Sequence, residues 1–270
     1  MPLVMKTAII IPARYGSTRF PGKPLVKLAG KSMLSRVVDL ARDASEGMSN
    51  VTLAVATEDE RILNHCHEIG VEGIMTSDEC ATGSDRVLEA SEKLGGDFDF
   101  ILGLQGDAPF TPIEAPRRML EAFAAAPSIE VITPIVKLRW SELDALRDSK
   151  KVTPFSGTTC VKDSNGKALW FSKNILPAIR KEKDMREGDE FSPVFQHIGL
   201  YGFRADILKK FVSLPQSHYE QLEGLEQLRL LENGISIQTV TIDVDLGMAQ
   251  AGIDSPEDVE RAEKILATLN

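Results

Sequence analysis

The chain has 270 residues, 43% of them hydrophobic and 26% charged, proportions ordinary for a globular protein able to bury a substantial core. Its 31 basic against 40 acidic residues leave a net charge of −9, which excludes duplex nucleic acid as the main partner. A polyanionic ligand must therefore be met by locally concentrated cations. No run approaches the roughly 18 apolar residues of a membrane span. The amino terminus lacks a signal-peptide core, and three scattered cysteines, Cys66, Cys80 and Cys160, do not form a disulfide framework. A cytoplasmic protein with no membrane partner is expected.

In chain order, the first element is the apolar run 8–11, which stops at Pro12 and reads as a buried parallel strand. The loop after it, ARYGSTRFPGKPL, holds Arg14, Arg19 and Lys23 among Gly16, Ser17, Pro21 and Gly22. Ligands of open α/β sheets sit beyond the carboxyl ends of such strands, and cations with small residues there suit a polyphosphate. This loop is not a P-loop. Gly16 to Gly22-Lys23 is one residue too long for GxxxxGK, and Pro24 stands where Ser or Thr would bind the metal. Gly30-Lys31-Ser32 has the right ending but Leu25 in place of the first glycine, and no GxGxxG follows any predicted strand.

Helical spacing of Met33, Leu34, Val37, Val38 and Ala41 follows, with Ser32 as cap. A strand is predicted at 51–56, a helix at 59–69 stopping at Gly70, a strand at 71–75, a helix at 84–94 and a strand at 98–104. This alternation implies an α/β protein with a mainly parallel sheet and helices on both faces. His65-Cys66-His67 is not a metal site, because residues two apart on a helix point in different directions. Between about 140 and 195 the rhythm breaks. Asn165-Gly166 marks a hairpin between 158–161 and 168–171, and the charged run 180–189 reads as a solvated loop. A strand at 198–203, a helix from 205, an amphipathic helix at 223–233, a strand at 235–242 and a terminal helix from Pro256 complete the pattern.

Two acids stand where a metal would be useful. Asp107 ends the strand 98–104 in Gln105-Gly106-Asp107, placed to hold Mg²⁺ against phosphate oxygens, although turns also favour Asp. Asp254 precedes Ser255-Pro256-Glu257-Asp258, where Ser255 serves as the helix cap and leaves Asp254 available. Asp243-Val244-Asp245 is a rival DxD pair of the kind used by metal-dependent glycosyltransferases, here without a second signature.

ARYGSTRFPGKPL resembles the signature of the sugar-activating cytidylyltransferases, most closely the 3-deoxy-manno-octulosonate (KDO) cytidylyltransferases; the related sialic-acid enzymes usually carry Asn where this chain has Pro24. In the same order, ATGSDR at 81–86, LQGDAP at 104–109, HIGLYGFR at 197–204, LEQLR at 225–229 and GIDSPEDVERA at 252–262 resemble further family motifs. The resemblance implies a Rossmann-like nucleotidyltransferase fold in a single domain, 1–270, with an inserted antiparallel element at about 140–195 that helps form a homodimer. It implies transfer of CMP from CTP to the anomeric hydroxyl of KDO or a close analogue, with release of pyrophosphate, for lipopolysaccharide biosynthesis.

The same resemblance assigns Arg14 and Lys23 to the triphosphate, with Ser17 and Arg19 in the same loop, and Ser84, Asp85, Arg86 and Gln105 near the nucleotide. It gives Mg²⁺ to Asp107 and Asp254, and the sugar to Lys173, His197, Tyr201, Glu226 and Gln227. There are departures: Ala108 replaces the family's glutamate, Phe171-Ser172-Lys173 replaces FSR, and PFSGTTC at 154–160 is unlike the expected run. Lysine keeps the charge but loses the bidentate fork, so an 8-amino or otherwise modified ulosonic acid enters consideration. A sugar-1-phosphate nucleotidyltransferase and a catalytically silent nucleotide-binding module are the alternatives.

Overall fold

The computed structural model describes residues 5–16, 20–244, 253, 258–260 and 262–264. Strand β1 (Thr7–Pro12) is buried along its first five residues, as a strand covered on both faces must be. β4 (Val51–Thr57) and β6 (Phe100–Gly103) flank it in parallel, placing Ile9 opposite both Leu53 and Leu102, and β5 (Glu72–Met75) extends the parallel set beyond β4. A small hairpin, β2 (Lys27–Leu28) with β3 (Lys31–Ser32), precedes the first crossover. Helices α1 (Met33–Ala44), α2 (Glu60–Glu68), α3 (Gly83–Lys93) and α4 (Glu114–Ala125) make the crossovers. Ser32 caps α1 as expected, accepting from Ser35 N at 3.0 Å, and Asp59 caps α2.

β7 (Val131–Arg139) is the spine of the second half. β11 (Tyr201–Arg204) and β10 (Phe191–His197) succeed one another antiparallel along it, while β12 (Ile237–Ile242) runs parallel to it. β11 also pairs antiparallel with β6, which joins both halves into one ten-stranded mixed sheet. Seven of those strands (β1, β4 to β8 and β12) run in one direction, as the alternating pattern predicts. The period-two alternation of β1 sorts the core. Ile9 and Ile11 face Leu34, Val37, Met119 and Phe123, whereas Ala8 and Ile10 face Val87, Leu208, Phe211 and Leu228.

Where the sequence rhythm breaks, α5 (Trp140–Val152) leads into the predicted hairpin, β8 (Thr159–Lys162) and β9 (Ala168–Ser172), turning at Gly166 with φ 81°. The charged run read as a loop is instead a helix, α6 (Glu182–Gly188). The correction has an electrostatic cause. Glu182 accepts from Arg147 at 2.7 and 2.8 Å, and Arg186 donates to Asp144 at 2.6 and 3.0 Å, so paired charges bind α6 to α5. Hydrogen bonds from Arg147 and Arg186 drive the Glu182 carboxyl down to about 2. The helix expected at 223–233 is α9 (Gln227–Glu232), which starts later because Gly224, with φ 63°, breaks the chain after a preceding helix that was not expected, α8 (His218–Glu223). α7 (Ala205–Ser213) packs on the same face as α3. The start expected at Pro256 lies outside the described residues; 258–260 and 262–264 are helical, and Ala262 and Ile253 are buried with Leu28 and Met33. No described helix is long and apolar enough to cross a membrane.

The junction of the two halves depends on Gly202. A Cβ built there would lie 2.1 Å from Phe100 Cζ, and Phe100 is itself stacked on Phe123 at 4.2 Å. Gly202→Ala is expected to cost at least about 2 kcal/mol through overpacking, read as a lowered urea midpoint with unchanged slope. A midpoint equal to that of the wild type would contradict this packing.

Candidate active site

Four loops meet at the carboxyl ends of β1, β4, β5 and β6, held by backbone bonds from Ala13 N to Ala56 O (2.9 Å), Thr76 N to Thr57 O (2.8 Å) and Leu104 N to Ile10 O (3.0 Å). The β1 loop closes on itself through Gly22 N to Tyr15 O at 2.9 Å; Gly22 has φ 71°, and a Cβ there would press on the Tyr15 ring at 3.2 Å. A short 3-10 turn, Lys23–Leu25, then presents Lys23, which is only 7% exposed. Its Nζ donates to Asp107 Oδ2 at 2.8 Å, bringing two predicted site residues 84 positions apart into contact. The Asp107 turn lies flush against β1, since a Cβ on Gly106 would meet Pro12 O at 2.7 Å.

The other predicted residues of this half have distinct surroundings. Arg14 is exposed, and its guanidinium donates to Cys80 O, fastening the β1 loop to the segment before α3. Gln105 is exposed beside the Asp107 turn. Asp85 closes a capping box, its carboxylate accepting from Thr82 N at 2.7 Å and from Thr82 Oγ1 at 2.8 Å. Arg86 is 1% exposed, with Nη1 bonded to Thr76 and 3.0 Å from Glu58 Oε2, so it braces the loops and presents no guanidinium to solvent. Ser17, Arg19, Asp245 and Asp254 lie outside the described residues, as do Ser255 and Glu257. Ile253, just before Asp254 in the chain, is buried in a cluster joined by Phe20 and Phe110.

The predicted sugar residues do converge. Tyr201 pairs with Gly103 at the carboxyl end of β6, and the His197 ring lies between Phe171 at 5.0 Å and Tyr201 at 5.3 Å. Thr133 Oγ1 donates to Leu200 O at 2.7 Å and so accepts from His197 Nε2 at 2.9 Å. That puts the imidazole proton on Nε2 and leaves Nδ1 as an acceptor. Burial, together with the positive charge of Lys173, pushes His197 down to about 3, so the ring is neutral. Burial lowers Lys173, raises Glu226 above the usual carboxylate range and raises Tyr201 strongly. Glu226 Oε1 and Gln227 Nε2 are buried without a hydrogen-bond partner among the described residues, and the Tyr201 hydroxyl faces only Thr133, whose own hydroxyl proton goes to Leu200 O. Ser84 Oγ lies 3.5 Å from Glu226 Oε2, where the α3 start meets this pocket.

Sequence reasoning missed Glu58, whose Oε1 accepts from Tyr15 N at 3.1 Å while its other oxygen faces Arg86. Its signal, an acid at the end of a buried strand, was hidden in Thr57-Glu58-Asp59-Glu60, which reads as a helix start. Missed too was the guanidinium of Arg61 stacked 3.3 Å over the Tyr15 ring.

A mainly parallel sheet with a cation-bearing loop after β1, an acid after β6 and a cluster of buried polar side chains beyond them has the arrangement of an α/β nucleotidyltransferase. A family model described as cytidylyltransferase matches residues 8–237. The 3-deoxy-manno-octulosonate cytidylyltransferase of Maricaulis maris is 42% identical over 97% of this chain and 98% of its own, and that of Parabacteroides distasonis is 40% identical over 98% and 99%. A solved CMP:2-keto-3-deoxy-manno-octonic acid synthetase, complexed with CTP, superposes with a TM-score of 0.82 at 30% identity, covering 98% of this chain and 100% of that one. The chain belongs to the cytidylyltransferase family, and within it to the 3-deoxy-manno-octulosonate cytidylyltransferases.

The neutrality of His197 can be measured. Its ordinary value of 6.5 lies above the native value of about 3. As pH falls from one to the other, the unfolded chain takes up a proton that the native protein refuses. His197 therefore withdraws stability only below about pH 6.5, and none above it. The His197 ring resonances in NMR are expected to stay unchanged between pH 8 and pH 5; a midpoint above pH 6 would overturn the buried neutral assignment.

Proposed function

We propose that the protein transfers CMP from CTP to the anomeric hydroxyl of 3-deoxy-manno-octulosonate or a close analogue, releasing pyrophosphate, for lipopolysaccharide biosynthesis. The observation that carries the reading is the 3.5 Å approach of Ser84 to Glu226, where the start of α3 meets a cluster of buried polar side chains. The acceptor oxygen forms a bond to the α-phosphorus, the bond from that phosphorus to the bridging oxygen of the pyrophosphate breaks, and the hydroxyl proton is released. Charge grows on phosphate oxygens, so the protein contributes position and cations more than a strong base. Lys23 and Arg14 hold the triphosphate, Lys23 meets the departing pyrophosphate, and Ser84 and Gln105 lie on the nucleotide side. Lys173 pairs with the ulosonate carboxylate, while His197 Nδ1, Tyr201, Glu226 and Gln227 take sugar hydroxyls.

Mg²⁺ fits this site by chemistry. Asp107 offers a half-exposed hard oxygen donor on a turn so close to β1 that no side chain fits between them, and Mg²⁺ commonly binds one or two carboxylates together with substrate phosphates. We assign it to Asp107 and Asp254, where it would neutralise phosphate charge and make the attacking hydroxyl more acidic. A sugar-1-phosphate acceptor is disfavoured, because the pocket offers a neutral imidazole, a carboxyl group and one lysine of lowered basicity where a phosphate needs several cations. A silent binding module is disfavoured by the intact Lys23–Asp107 pair. Drawing on CTP, the reaction belongs in the cytoplasm.

The reading is tested by pyrophosphate release from CTP, UTP, ATP and GTP against a panel of ulosonic acids. CTP with KDO or an analogue is expected to be preferred; activity confined to sugar 1-phosphates, or none at all, would refute it. Lys23→Ala and Asp107→Asn should each lower turnover by orders of magnitude, Lys23→Ala with the smaller effect on CTP affinity.

We further propose a homodimer formed through the inserted element. Of eight large exposed hydrophobic residues among the described ones, six lie on it or on α8 packed against it: Val152, Phe155, Leu169, Met185, Tyr219 and Leu222. Trp170 of β9 meets Tyr219 of α8 edge-on at 5.1 Å. Sedimentation should show a dimer for the wild type and a folded monomer for Leu169→Asp or Leu222→Asp; a dimer surviving both changes would place the interface elsewhere.

A further inference from the structure

The backbone of Lys173 is held on both sides of its Cα by charged side chains from distant parts of the chain. On one side Glu223, the last residue of α8, accepts from Lys173 N at 2.8 Å with Oε2 and from Ser172 Oγ at 2.7 Å with Oε1. On the other, Lys150 Nζ, near the end of α5, donates to Lys173 O at 2.5 Å. The same ammonium gathers the carbonyls of Ser156 and of Gly157 (2.9 Å), so the loop after α5 closes on the strand end through one cation. Ser172 Oγ in turn accepts from Asn174 N at 2.9 Å, and Thr159 Oγ1 donates to Asn174 O at 2.6 Å, so the backbone has little freedom on either side of Lys173.

Both groups are charged, and each makes a bond to the backbone of Lys173. Charge-assisted bonds of this kind are shorter and stronger than neutral ones, and two of them, on the peptide groups either side of the Lys173 Cα, fix the backbone there. Glu223 also stands immediately before Gly224, whose left-handed backbone turns the chain into Glu226 and Gln227. One carboxylate therefore sets the strand end that carries Lys173 in register with the turn that carries the other pocket residues, across some 50 positions of sequence. The Lys173 ammonium itself acts on this pocket, since its charge lowers His197.

We propose that Lys150 and Glu223 are positioning residues for the acceptor sugar, a clamp that aims Lys173 into the pocket and couples it to the Glu226–Gln227 turn. The proposal rests on the reading of Lys173 as a sugar residue given above. Neither residue touches substrate in it.

The test is a double-mutant cycle in steady-state kinetics. Lys150→Met and Glu223→Ala are each expected to raise the KM for the ulosonic acid at least fivefold, leaving the KM for CTP within twofold. In a Lys173→Ala background each should add less than twofold, because the group being aimed is gone. Lys150→Arg, which can still donate to the carbonyls, should recover much of the loss, and Glu223→Gln, keeping one acceptor, should fall between. Effects that multiply in the Lys173→Ala background, or that raise the KM for CTP equally, would overturn the clamp and leave only a structural role. Lys173→Ala alone separates the two readings. If it leaves the acceptor KM unchanged, the sugar role of Lys173 fails and the clamp with it. If it raises that KM while the Lys150 and Glu223 variants do not, the clamp alone fails.

Discussion

A guanidinium with almost no access to water sits where three strand ends meet, and the nucleotide half of the site is built round it. Arg86 is 1% exposed, bonded to Thr76 after β5 and paired with Glu58 after β4, whose second oxygen holds Tyr15 of the β1 loop. Removing one partner of a buried pair strands a charge at a cost of about 3–5 kcal/mol. The loops thus cannot drift apart without exposing or abandoning that charge. In a protein with nine more negative than positive charges, this pair also keeps an arginine out of solvent and leaves Lys23 and Arg14 as the described cations of the β1 loop.

The two halves of the site use opposite electrostatics. In the proposed nucleotide half, charges persist because they are paired, as Lys23 with half-exposed Asp107 and Arg86 with Glu58 illustrate. On the acceptor side, burial suppresses charge: the imidazole is neutral, the Glu226 carboxyl is raised and Lys173 is lowered. A phosphate chain needs strong fixed charge, whereas a polyhydroxy acid is better recognised by directional hydrogen bonds in a place water does not fill.

Much of this was legible in the sequence because the signals are local. The apolar runs of β1, β4 and β6, the Ser32 cap and the Asn165-Gly166 turn each follow from short-range chemistry. What escaped is long-range. The 180–189 run looks like a solvated loop until Arg147 and Asp144, over thirty positions earlier, neutralise it into α6. The 223–233 segment has one amphipathic pattern, yet Gly224 takes a left-handed turn and delays the helix to Gln227. Arg86 sits in a motif suggestive of ligand contact, and only its tertiary partners reveal a brace. Lys150 has no signal at all in sequence, being one lysine among the charged residues at the end of α5.

The pairing of β11 with both β6 and β7 bears on how substrates come and go. Because the strands behind the β1 and β6 loops and those behind the His197–Tyr201 cluster share one hydrogen-bonded sheet, the described residues do not form two lobes that could hinge apart. Parting the halves would mean tearing the ladder on either side of Tyr201–Arg204. Among the described residues, any closure round a ligand is thus confined to the loops at the strand ends, because the sheet behind them is continuous.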